Sequence, residues 1–273
     1  IFIYLFFIII KLIGLTMSRK FFSSLFNKIG PLIKSKQTTD NNLEKFLGSH
    51  NQNVKEKIKF DMWANYGKTF VEYLYLKKFK NTNFHIQIKG EEILKEIKKN
   101  NKSVIFVSGH FANFELMSME LTKRNIKLAT IYRPLNNFFL NPFMEYLRKK
   151  YICPNQIKKG TIGIRQAINF IDRNYSIALM IDQRVSEGEN IKLFDKNALT
   201  TTLPAQLALK YNLDIVPIYI SRNDDCFDME FYNPIKINSH ETKKDISFKL
   251  NKVLEKMILK DPSQWILTHN RWK

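Results

Sequence analysis

The stretch S-V-I-F-V-S-G-H-F-A-N-F-E-L, residues 103–116, decides how this chain folds and where its chemistry sits. An apolar run rich in Val, Ile and Phe ends at Ser108-Gly109, the mark of a short buried strand. His110 follows at once, and Glu115 lies five residues further on. In a regular helix five residues turn about 140°, so these two side chains would not share one helical face. They meet if the strand stops at Gly109, His110 occupies the turn, Asn113 caps a helix and Glu115 falls in its first turn. In such a strand–turn–helix corner a carboxylate holds one imidazole nitrogen while the other takes a proton from a nucleophile. That is the pairing of base and orienter in general base catalysis. A single histidine at a strand end is more often just hydrogen-bonded, so the rest of the chain has to carry the argument.

On either side of this corner, strands alternate with helices. Apolar residues recur at helical spacing from about Val54 to Phe79, through Ile58, Met62, Tyr66, Phe70 and Leu74. The pattern then predicts a strand at 85–88, a helix from Glu91 to Lys99 and the strand 104–107. A helix at 113–124, a strand at 128–132, helices at 141–151 and 162–173 and a strand at 177–181 follow. A helix at 203–211, strands at 215–220 and 227–232 and a last helix at 245–259 complete the series. The polar residues 35–56 read as a linker. Strands alternating with helices of about ten residues predict an α/β layered fold around a largely parallel sheet. In such sheets ligands gather beyond the carboxyl ends of strands. His110, Arg133 and Asp182 each come just after a predicted strand, so three polar residues fall at one edge and form one site.

The chain has 273 residues, enough for one large domain or a domain with an appendage. Its 44 Lys and Arg against 25 Asp and Glu give a net charge of +19. Such a field favours anionic partners: nucleic acid, an acidic lipid surface, phosphorylated substrates or an acidic carrier protein. There is no zinc-finger spacing, no aromatic RNA-binding signature and no Gly-rich phosphate loop, which argues against nucleic acid. The two cysteines, Cys153 and Cys226, show no metal-ligand spacing, and neither a metal nor another cofactor is expected.

The chain opens on the apolar run I-F-I-Y-L-F-F-I-I-I-K-L-I-G-L. Fifteen helical residues span about 22 Å, short of the ~30 Å hydrocarbon core, so the run reads as a membrane-associated segment or as one end of a longer helix. Met17 offers an alternative start that would delete it. Arg19, Lys20, Lys28, Lys34 and Lys36 follow, which by the positive-inside rule places the rest in the cytoplasm. With Phe21, Phe22, Leu25, Phe26 and Ile29 interleaved, the same stretch also suits the headgroup region. Residues 1–36 are therefore expected to contact the membrane, and an apolar surface should run from them to the rim of the His110 cleft.

The string S-G-H-F-A-N-F-E resembles the H-x4-D/E motif of glycerolipid and lipid A acyltransferases, and most closely that of the bacterial lipid A biosynthesis acyltransferase family. Further segments follow in that family's order: I-Y-R-P-L-N-N at 131–137, M-I-D-Q-R at 180–184, F-x-x-x-A-x-T-T-T-x-P-A at 194–205, I-V-P-I-Y-I-S-R at 215–222 and Q-W-I-L-T-H-N-R-W-K at 264–273. The resemblance covers about residues 45–273. It implies a glycerol-3-phosphate acyltransferase-like α/β/α sandwich that moves a fatty acyl group from acyl carrier protein thioester to a hydroxyl of a lipid A precursor, at the cytoplasmic face of a bacterial inner membrane. One departure stands out: Asp195 and Leu203 occupy positions where the family usually has glycine.

Transfer from a thioester needs a base for the acceptor hydroxyl and a group that steadies the oxyanion. A thioester is already activated, so no acyl-enzyme is required, and the lack of a G-x-S-x-G elbow agrees. His110 is the expected base and Glu115 its orienter. Arg133 reads either as a surface cation or as a planar fork for phosphate or carboxylate. Arg148, beside Lys149 and Lys150, looks like part of a solvated basic face, and only the family resemblance raises it to a substrate-binding residue. Asp182 would be costly to bury unpaired. It has a partner in Arg133 or Arg148, positions substrate, or caps the following turn. Gln183 shares that segment as a substrate-binding candidate. Two rival readings stand: the same dyad acting on another lipid (lysophospholipid, glycerol phosphate, aminolipid or mannosylated lipid), and a basic membrane-binding protein with no catalysis.

Overall fold

The computed structural model describes residues 8, 10–48, 51–238 and 240–273. Most of the apolar run at the start, residues 1–7 and 9, lies outside them, as do residues 49, 50 and 239. Among the described residues no helix is long and apolar enough to cross a membrane.

Seven strands make the main sheet, in the order β1-β9-β8-β2-β5-β3-β4. They are β1 (Ile86–Lys89), β2 (Ile105–Ser108), β3 (Leu128–Tyr132), β4 (Gln156–Lys158), β5 (Ser176–Met180), β8 (Ile215–Asn223) and β9 (Cys226–Phe231). Every pairing is parallel except the β8–β9 hairpin. The central strands are buried on both faces, which is why they read as unbroken apolar runs rather than as alternations.

The period of two sorts their side chains into two cores. Phe106, Ala178 and Val216 face one layer, with α5 (Glu91–Lys99) and α6 (Glu115–Lys123) packed over them through Leu94, Leu116 and Met117. Ile105, Val107, Ile177 and Leu179 face the other, under α8 (Thr161–Ile171), α9 (Leu203–Tyr211) and α10 (Lys243–Lys260). The result is the expected three-layer α/β arrangement with a largely parallel sheet.

The stretch read as a linker is a helix. α2 (Lys36–Leu47) starts at Ser35, whose side chain accepts from Thr38 N. Its polar composition hides two fixed points. Leu43 is fully buried, and Asn42 donates to the carbonyls of Leu267 and His269 in the C-terminal tail. Long-range bonds of this kind leave no periodic trace in the sequence.

α1 (Leu15–Ile33) lies against α3 (Gln52–Glu72), and two glycines set the distance. A Cβ on Gly67 would stand 2.2 Å from the Phe22 carbonyl oxygen, and one on Gly30 would stand 2.3 Å from the Trp63 ring. Arg19 of α1 donates to the buried carboxylate of Glu72 at 2.7 Å, and Arg222 of β8 closes on the same carboxylate from the other side.

The hairpin β6 (Glu189–Leu193) and β7 (Lys196–Thr200) has no counterpart in the periodicity analysis. Its two-residue turn holds Phe194 at φ 49 and Asp195 at φ 56, the left-handed pair of a type I′ turn. Asp tolerates that conformation better than most residues, so Asp195 can stand at the second position of this turn. Phe194 is held in place by its N–H donating to Glu255 and by its ring against Phe46.

Candidate active site

The register of β2 against β5 builds the site. Ser108 pairs with Met180, and Ile181 N donates to Ser108 O at 2.9 Å. Two residues beyond each strand, His110 and Asp182 therefore stand side by side at the carboxyl edge. The Asp182 carboxylate accepts from His110 Nδ1 at 2.7 Å on one oxygen. Its other oxygen accepts from the His110 backbone N–H at 3.0 Å and from Trp265 Nε1 at 2.9 Å.

The C-terminal tail fixes the loop. Phe111 forms an antiparallel bridge with Trp265, while Ala112 N donates to Gln264 O and Ile266 N donates to His110 O. Ala112 itself sits at φ 43, a left-handed conformation that costs an L residue about 1 kcal/mol or more and here persists because both flanks are pinned.

Glu115 is not the orienter of His110. It begins α6 as expected, but its Oε1 receives Arg148 Nε at 2.8 Å, Arg148 Nη2 at 2.5 Å and the Tyr73 hydroxyl at 2.8 Å. The imidazole edge is instead filled by Phe114, T-shaped at 4.6 Å between centroids. Strand register supplies the carboxylate instead, from seventy-two residues away in sequence. Asn113 does not cap α6 either. Its side chain donates to Glu72 at 2.9 Å, which ties the loop to the Arg19–Glu72–Arg222 cluster.

Burial would push the Asp182 carboxyl up, but the positive charge and two hydrogen bonds of His110, with the Trp265 N–H, more than offset it. The carboxyl is held well below the usual aspartate range. An ionised carboxylate only accepts, so Nδ1 carries a hydrogen in either charge state of the ring, and the neutral ring holds its lone pair on Nε2. Asp182 is 3% exposed and His110 18% exposed, so the carboxylate is dry while the base is still partly open to solvent.

Arg148 is buried, at the start of a π-helical turn (Arg148–Ile152) that follows α7 (Leu140–Leu147). It is not part of a solvated face. Desolvation opposes its charge, but Glu115 more than compensates and its pKa is raised. Burial, and then the charge of Glu115, drives the Tyr73 hydroxyl well above its ordinary pKa, so it stays a donor. Asp182 pairs with neither Arg133 nor Arg148. Arg133 is exposed, and its charge, with those of His110 and Lys34, adds to burial in lowering the pKa of His269.

The Gln183 amide nitrogen lies 3.5 Å from each ring nitrogen of His110, and of the two only Nε2 can accept from it, at the outer limit of a hydrogen bond, because Nδ1 donates to Asp182. The structure thus brings His110, Asp182 and Gln183 together, with Glu115 and Arg148 as an adjoining buried pair. Trp265 and Tyr73 were not singled out from sequence. The only signal for Trp265 was its place in the Q-W-I-L tail, and for Tyr73 there was none. No group of His, Cys, Asp and Glu that could hold a metal ion occurs among the described residues.

A partly exposed histidine whose Nδ1 is held by a buried carboxylate can take a proton from a hydroxyl at Nε2. Two lines of similarity agree with that chemistry. The chain is 22% identical over 251 residues to the lipid A biosynthesis palmitoleoyltransferase of Escherichia coli (strain K12), which covers 89% of this chain and 80% of the relative. It is equally similar to the lipid A biosynthesis acyltransferase of Shigella flexneri, again 22% identical over 251 residues with the same coverage. The model of the bacterial lipid A biosynthesis acyltransferases matches residues 1–273, and the chain, an acyltransferase, belongs to that family.

Proposed function

We propose that this acyltransferase moves a fatty acyl group from an acyl carrier protein thioester to a hydroxyl of a lipid A precursor, with His110 as general base and Asp182 as its orienting carboxylate. The observation that carries this reading is the 2.7 Å contact of Asp182 with His110 Nδ1, which leaves Nε2 as the basic atom.

In the proposed reaction Nε2 takes the acceptor's hydroxyl proton while the alkoxide oxygen attacks the thioester carbonyl. The imidazolium that forms is stabilised by the Asp182 carboxylate. Collapse of the tetrahedral intermediate breaks the carbon–sulfur bond, and the thiolate takes the proton back from Nε2. The Gln183 amide and the Arg133 guanidinium at the rim are the proposed donors to the oxyanion and to acceptor phosphate. Glu115 and Arg148 act as a buried brace that holds the first turn of α6 against α7 and α3.

The positive field suits both an acidic carrier and a phosphorylated acceptor. The outer face of α1 supports a membrane location with the cleft on the cytoplasmic side. Met17, Phe21 and Leu32 are exposed there with Lys20 and Lys28 among them, at helical spacing.

The test is mass spectrometry of lipid A from a bacterial host that lacks its own late acyltransferase and expresses this chain. The wild-type chain should add one acyl group, and the His110→Ala protein, present at equal level, should add none. Unchanged lipid A with the wild-type chain would overturn the acceptor assignment, and acylation by His110→Ala would overturn the base.

A further inference from the structure

The turn that leads from β3 to α7 displays two phenylalanines to solvent on a rigid backbone. Phe138 and Phe139 are each 84% exposed, with their rings T-shaped at 5.9 Å, and Leu135 beside them is also exposed. The backbone under them is fastened. Asn137 Oδ1 accepts from the N–H groups of Phe139 and Leu140 at 3.0 Å, Asn141 Oδ1 accepts from Leu135 N at 2.8 Å, and Asn141 N donates to Asn137 O at 2.9 Å. Such a turn does not fold its rings inward. It holds them out.

The surroundings are basic and apolar in alternation. β4 runs parallel to β3, and Lys159 N donates to Tyr132 O at 2.9 Å, so the segment after β4 emerges next to the turn. That segment exposes Ile162 alongside Lys159 and Arg165. Arg133 immediately precedes the turn, and Lys34, after the exposed Leu32 and Ile33 at the end of α1, is close enough to act with Arg133 on the same His269. Exposed aromatics interleaved with cations are the composition of a surface that lies in a headgroup layer and meets anionic lipid. An acidic protein partner would be met by the cations alone and gives no reason to expose a phenyl pair.

We propose that the Leu135–Phe139 turn is a bilayer-docking element that inserts Phe138 and Phe139 into an anionic membrane next to the catalytic edge. It acts in addition to α1. This rests on the reading that the acceptor is a membrane lipid, and the test below reads binding rather than acyl transfer, so the two fail separately.

The experiment uses the full chain with phosphatidylglycerol-containing vesicles and with neutral phosphatidylcholine vesicles as control. Phe138→Ala/Phe139→Ala should melt as the wild type does yet partition about tenfold or more weakly onto the anionic vesicles, the loss expected for two partly inserted rings. Phe138→Trp should shift its emission to the blue on these vesicles and be quenched by lipids brominated in the acyl chain. A double variant that partitions like wild type overturns the proposal. So does a tryptophan unmoved by vesicles, and so does one that responds only to acyl carrier protein, which would make the turn a carrier site.

Discussion

Replacing Asp182 with asparagine is the sharpest test of the assignment, because the structure predicts which way the amide turns. One Asp182 oxygen accepts two N–H groups, the His110 backbone and Trp265, and the other accepts only His110 Nδ1. Asparagine has a single oxygen. Placed toward the two N–H groups, it keeps two of the three bonds and turns its NH2 to the ring. Nδ1 must then accept, which moves the ring hydrogen to Nε2 and removes the lone pair that takes the proton. The opposite rotamer sets NH2 against two donors and is disfavoured by about one buried unsatisfied group more, on the order of 1–3 kcal/mol. The wrong tautomer should therefore dominate with the fold intact. In a triad of the same logic that exchange lowers kcat about 10⁴-fold, and a loss of about 10³–10⁴-fold, or about 4–5.5 kcal/mol of barrier, is expected here. The assay is transfer from acyl carrier protein thioester to a lipid acceptor in detergent. KM should change little, because the lost interaction is felt only as charge develops on the imidazole. The double variant with His110→Ala should be no slower than His110→Ala alone. A correctly folded Asp182→Asn enzyme that keeps more than about a tenth of wild-type kcat would refute the Asp182–His110 pairing as the source of the base.

Three further outcomes follow from the same geometry. The Asp182 carboxyl lies below its unfolded value, so it adds stability that is fully present above about pH 3.9 and is lost as pH falls toward its folded value. The urea midpoint of wild type should accordingly drop more steeply than that of Asp182→Asn between about pH 5 and about pH 3. Glu115→Gln and Arg148→Gln should each destabilise by roughly 3 kcal/mol, because each leaves a partner buried without its counter-charge, and the double variant should lose at least about 1 kcal/mol less than the sum. Strict additivity in denaturant titrations would mean the pair is not coupled. Gly67→Ala should cost about 1–3 kcal/mol, since its Cβ meets the Phe22 carbonyl and backbone has to yield, and limited proteolysis should then cut α1 sooner.

The family match extends over the whole chain while identity to the two curated relatives is 22%. That contrast is what a shared scaffold predicts. A parallel sheet fixes where strand ends lie, so a few residues at the carboxyl edge carry the chemistry while the core tolerates apolar exchange.

What the sequence by itself determined was local. Glu91–Lys99 and Leu128–Tyr132 have the bounds that periodicity assigned, because an amphipathic helix and a buried apolar strand each state their period within one turn or one run. The corner at Ser108-Gly109-His110 was equally legible, since a strand that ends in small residues before a histidine has few ways to continue. Tertiary structure decided which carboxylate the histidine meets. Glu115 is five residues away in sequence, but the Phe114 ring takes the imidazole edge and α6 turns Glu115 toward Arg148. Asp182 arrives through strand register, and Trp265 through a bridge made by the far end of the chain. Register and bridging are pairings between distant segments, set by the twist and packing of the whole sheet, and no window of neighbouring residues contains them.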